Sequence, residues 1–137
     1  MRLPLLLLAL ITAGCDSADD LQPVDGVVLV SVVGIPNVGT GFQLRTESAY
    51  PCGSRLVVTE ETRDDRLRVA VDGVSGPGAC ESADAPLSYT TPLTATGFVV
   101  SINVQHRGET DRYEHICGFA GCDLRAVRTS TTRLATP

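Results

Sequence analysis

From residue 26 onward, apolar and polar positions alternate in short runs, and no window holds a helical period. Gly26 to Val33 is almost wholly apolar and reads as a strand covered on both faces, ended by Gly34-Ile35-Pro36-Asn37. Phe42 and Leu44 alternate with Gln43 and Arg45 in a half-buried strand, and Ser54 to Glu60 forms the next. Glu61 to Asp65 is a polar loop. Leu67, Val69 and Val71 then alternate with Arg66, Arg68 and Ala70, which sends the apolar set inward and the arginines outward. Asp72 to Pro86 is a turn-rich loop, and Leu87 to Thr96, which holds Pro92, suits an edge strand. Phe98, Val100, Ile102 and Val104 form the inner face of a hairpin. A four-residue turn at Arg107-Gly108-Glu109-Thr110 would set Tyr113 opposite Val104 and His115 opposite Ile102. Asp123 to Arg133 closes the chain as a final strand with Leu124 and Ala126 inward. Seven to eight short strands result, which predicts an all-β fold: an antiparallel β-sandwich of immunoglobulin-like size, or alternatively a small β-barrel.

Composition narrows the chemistry. The chain has 137 residues, so it holds one domain of ordinary size. Its 11 basic residues are all arginine, against 16 acidic ones, for a formal net charge of −5. That balance argues against nucleic acid and anionic membrane surfaces as partners. The lack of lysine excludes a phosphate-loop nucleotidase, a Schiff-base enzyme and a Ser-x-x-Lys hydrolase.

The N-terminus carries an address. Arg2 precedes Leu3 to Ile11, an apolar run too short to span a hydrocarbon core of roughly 30 Å but suited to an export signal. Thr12-Ala13-Gly14-Cys15 follows and resembles the lipobox of bacterial lipoproteins, with Thr12 where that pattern prefers Leu. The resemblance covers the signal alone. It implies that residues 1–14 are removed, that Cys15 carries the lipid, and that the membrane partner is reached through that anchor. It further implies a bacterial cell-envelope location, on the outer membrane, facing the periplasm or the cell surface. Asp16 to Asp25 reads as an acidic tether, in which Asp19 and Asp20 are similar to the acidic cluster of surface-exposed lipoproteins. Residues 26–137 are then the β-domain.

Lipidation at Cys15 leaves Cys52, Cys80, Cys117 and Cys122. An even count in an exported chain reads as two disulfides, for which three pairings exist. Cys52–Cys80 with Cys117–Cys122 is favoured, because the second pair flanks the tight turn Gly118-Phe119-Ala120-Gly121. A competing reading is a metal or thiol site built from His115, Cys117, Cys122 and His106, since imidazole and thiolate suit zinc. The spacing lacks the paired motifs of structural zinc sites, and export favours oxidised thiols, so no cofactor is expected.

Catalysis has few places to sit. Gly73-Val74-Ser75-Gly76-Pro77 begins like a nucleophile elbow but ends in proline and lacks a strand-turn-helix context. Glu60-Glu61 and Asp64-Asp65 read as solvated loop charge without the ligand ladder of a calcium loop. Sugar recognition by ring stacking is disfavoured by the absence of tryptophan. The expectation is a non-enzymatic, lipid-anchored envelope protein with a binding or structural domain. Its alternatives are a small metal-dependent or thiol enzyme and an exported protease inhibitor. The loops Asp72–Pro86 and Gly118–Gly121 are the candidate binding surfaces.

Overall fold

The computed structural model describes residues 20–94 and 98–136. Cys15 and the signal segment lie outside the described residues. Nine strands are present among them: β1 (Val28–Ile35), β2 (Gly39–Tyr50), β3 (Arg55–Arg63), β4 (Arg66–Ser75), β5 (Ala85–Pro92), β6 (Val99–His106), β7 (Glu109–Gly118), β8 (Gly121–Arg128) and β9 (Thr132–Leu134). They form two packed sheets, a four-stranded one in the order β5-β2-β1-β9 and a five-stranded one in the order β3-β4-β6-β7-β8. The fold is the all-β sandwich, not the barrel. On one side β3 and β5 approach each other, where the Tyr89 hydroxyl donates to Glu60 Oε2 at 2.6 Å. Burial and this carboxylate together push the Tyr89 phenol up to about 12.

Most strand pairs are antiparallel, but β1–β9 and β4–β6 are parallel, so both sheets are mixed. The reason lies in the connections. Between β4 and β6 the chain crosses to the other sheet to form β5, and it returns running in the same direction as β4. The expected closing strand is likewise divided. β8 stays beside β7, while β9 crosses to β1. Leu124 packs on the core, and Ala126, paired with Tyr113, keeps the inner face but is left exposed at the sheet edge.

The core lies between the sheets. Val28, Val30, Phe42 and Leu44 face Leu67, Val69, Val100, Ile102, Val104 and Tyr113, all buried. At roughly 1.5–3 kcal/mol for each buried large aliphatic or aromatic side chain, this set dominates the stability. β1 is half-buried, with Val28 and Val30 inward and Leu29, Ser31 and Val33 partly exposed, because no layer covers its outer side. Phe98 departs from its expected inward place: it precedes the strand and is 79% exposed.

Several boundaries shift for local reasons. β3 runs to Arg63 and β4 starts at Arg66, so the polar loop contracts to Asp64-Asp65, with Asp64 at φ 52°. β4 extends to Ser75, which leaves residues 76–84 as the loop. The β6–β7 turn has two residues, Arg107 (φ 53°) and Gly108 (φ 76°), the left-handed pair of a type I′ turn whose twist matches the hairpin. The register therefore pairs Val104 with Asp111, Ile102 with Tyr113 and Val100 with His115. The difference from expectation is two residues. Side chains alternate with period two, so Tyr113 and His115 remain inward.

The N-terminal segment joins the domain before β1. Gln22 forms a β-bridge with Val74, and Val24 is buried. Gly73 makes room for it: at φ 151°, a Cβ there would come 2.6 Å from the Gln22 carbonyl oxygen. This entry end also holds the Arg107-Gly108 turn and residues 76–84. The opposite, far end holds the β1–β2, β3–β4 and β7–β8 turns. The two loops read as candidate binding surfaces thus sit at opposite ends and form no common surface.

Candidate functional site

The residues singled out in the sequence fall into two groups, one at each end. At the far end, β7 and β8 are adjacent antiparallel strands, and Cys117 stands directly opposite Cys122. Alternation puts both on the inner face with His115, two residues before Cys117. The ligand atoms of His115, Cys117 and Cys122 lie within 4.8 Å of one another, and both His115 ring nitrogens are 3.9 Å from Cys117 Sγ. Cys117 and Cys122 are joined as a disulfide, and Cys52 is joined to Cys80 at the entry end. A disulfide sulfur is neither a thiolate ligand nor a nucleophile, so the closed pair offers His115 no companion donors.

His115 is buried, and burial lowers its pKa below the ordinary histidine range, with Asp123 opposing. Beside it a groove of about 550 Å³ opens between the two sheets, on the side where β8 and β9 do not meet. Val30, Val32, Leu124 and Leu134 line it beside the His115 imidazole.

His106 is not part of that cluster. It ends β6 at the entry end, is 3% exposed, and neither ring nitrogen has a hydrogen-bond partner. Burial lowers its pKa; the Thr131 and Val24 carbonyls facing the ring oppose that shift without cancelling it. The neutral imidazole is therefore the favoured form.

Next to His106 the inner face carries a polar network that the sequence reading missed. Asp111 Oδ2 accepts from the Thr132 hydroxyl at 2.6 Å, the Thr132 N–H at 2.7 Å and the Thr131 N–H at 3.0 Å. Thr132 has spent its proton on the carboxylate, so at the 2.6 Å contact with Tyr113 the phenol donates. Burial opposes a charge on Asp111, yet these hydrogen bonds outweigh it and hold the carboxyl below its ordinary value. Burial and the Asp111 charge raise the Tyr113 phenol. Asp111 Oδ1 has no partner. One signal pointed to Asp111: any register that puts Tyr113 inward also puts the residue two positions earlier inward.

The remaining candidates take ordinary places. Ser75 ends a strand rather than a strand-to-helix turn, and Glu60 is engaged by Tyr89. No known protein family, characterised protein or solved structure matches the chain.

Proposed function

We propose that the protein is a lipid-anchored component of the bacterial cell envelope whose β-sandwich acts by binding rather than by catalysis. The carrying observation is that both cysteine pairs are spent as disulfides while the two histidines sit buried at opposite ends. No hydroxyl–imidazole or thiolate–imidazole pair is then assembled among the described residues. The disulfides fit an exported chain, and the lipobox-like Thr12-Ala13-Gly14-Cys15 supplies the anchor.

Attachment through Cys15 gives the domain an orientation. The chain enters at the Gln22–Val74 bridge, so the far end points away from the membrane. That end bears Val38, Phe98 and Phe119, all largely exposed apolar side chains, which suits contact with another macromolecule.

Metabolic labelling with palmitate and membrane flotation test the anchor. The wild-type chain takes up label and floats with outer-membrane vesicles, whereas Cys15→Ser does neither and stays soluble in the periplasm. An unlabelled wild-type chain in the soluble fraction would overturn the reading. Alkylation of the native protein tests the binding role: uptake of reagent at Cys117 or Cys122 would reopen the thiol-enzyme alternative.

A further inference from the structure

The outer face of the five-stranded sheet gathers most of the chain's positive charge. Across the strands, one row sets Arg63, Arg66 and Arg125 around Ser101 and Glu114. The neighbouring row sets Arg68, Arg112 and Arg128 around Glu61 and Asn103. All six arginines are exposed. They face two glutamates in those rows, in a chain whose formal net charge is −5. Asp72, bonded to Thr59, and Asp123 stand in flanking rows, and Asp64 and Asp65 lie in the β3–β4 turn. A basic centre with an acidic margin results, invisible to the overall charge.

Folding explains only part of the arrangement: Glu61 stands opposite Arg68 and Glu114 opposite Arg125, pairs that favour a sheet. Arg63 stands directly opposite Arg66, and Arg112 directly opposite Arg128. Like charges in directly opposed positions weaken a sheet. Arg112 reaches Glu114 at 3.6 Å, a long, partly exposed contact that contributes little. Opposed guanidinium groups are, in contrast, well placed to take a carboxylate between them, since each presents a planar fork of donors.

We propose that this face binds an acidic polysaccharide, with its carboxylates on the paired arginines and its hydroxyls on Ser101, Asn103 and Gln105 of β6. The two arginine rows carry no aromatic side chain, so they lack both the stacking platforms of a nucleic-acid surface and the anchors of a protein hot spot. Recognition is ionic, without the ring stacking that the absence of tryptophan disfavours. The arginines are spread across the sheet from β3 to β8, which suits a polymer lying across it better than a single small anion. The strands run from the entry end to the far end, so the face flanks the domain and does not press on a membrane anchored at the N-terminus. The inference goes beyond the contact surface proposed above, since it concerns a sheet face and not the far end, and it does not depend on lipidation.

The test uses the full chain in non-ionic detergent and polygalacturonate as the probe, with affinity measured across a salt series. Binding at low salt that weakens steeply as salt rises is expected. The double variant Arg112→Ser/Arg128→Ser should lose about tenfold or more in affinity without a fall in unfolding midpoint, because it removes a repulsive pair. Arg45→Ser, on the other sheet, should bind like wild type. No binding at low salt, an unaffected double variant, or an equal loss with Arg45→Ser would each overturn the proposal. So would tighter binding to poly-glutamate, to an oligonucleotide or to phosphatidylglycerol vesicles. Flotation through Cys15 is read separately, so failure here leaves the anchor standing.

Discussion

Asp111 holds Thr132 by both its hydroxyl and its N–H, at 2.6 and 2.7 Å, and so ties the last strand of one sheet to the inner face of the other. β9 has only three residues, too few to hold its place by ladder bonds alone. Thr132→Val keeps the shape but removes the shared hydroxyl, leaving Asp111 short of a donor and Tyr113 without an acceptor. A loss of about 2–4 kcal/mol is expected from urea unfolding, against about 1 kcal/mol for Tyr113→Phe. Equal costs for the two variants would show that the hydroxyl is not the hub.

Stability should depend on pH in a direction set by the two histidines. Burial lowers the folded pKa of both His106 and His115. The unfolded chain therefore takes up more protons once pH drops below about 6.5, and stability falls with pH from there. Above that value the histidine contribution is complete and flat. Asp111 acts in a second, more acidic window: its depressed pKa contributes stability that is lost as pH falls through the folded value. Urea unfolding between pH 4.5 and 8 checks this. His106→Gln should give a shallower slope, and identical wild-type midpoints at pH 5 and pH 7.5 would sink the argument.

The two disulfides should contribute unequally. By loop entropy, the bridge separated by 28 positions, Cys52–Cys80, is worth roughly 3.6 kcal/mol, and Cys117–Cys122, separated by 5, about 2.2 kcal/mol. Paired serine substitutions, compared by thermal unfolding without reductant, should preserve that order. A larger loss at the short bridge would mean that it braces the hairpin beside His115 by packing, beyond closing a loop.

The three phenylalanines should separate cleanly. Phe42 is fully buried, and Phe42→Ala should cost about 3–5 kcal/mol. Phe98 and Phe119 are exposed, so serine at either should change stability by no more than about 0.5 kcal/mol. Loss of fold on replacing Phe119 would contradict its placement at the far end.

What the sequence determined by itself was set by local periodicity. Leu67 and Val69 against Arg66 and Arg68, or Val100, Ile102 and Val104 against their polar neighbours, commit each strand to one inner face, because a strand's side chains alternate however it pairs. That parity is independent of turn length: with two turn residues, Arg107 and Gly108, in place of four, the register differs by two and Tyr113 and His115 stay inside. The all-β sandwich followed from the same signal. Tertiary structure alone decided which strands became neighbours. No local pattern tells β4 to lie beside β6, or β9 to leave β8 for β1, since those pairings follow from how two sheets cover one core. The consequences include Asp111 meeting Thr132 and arginines from four strands falling into two rows. Each is a contact between segments distant in the chain, and composition cannot carry information about adjacency that only packing creates.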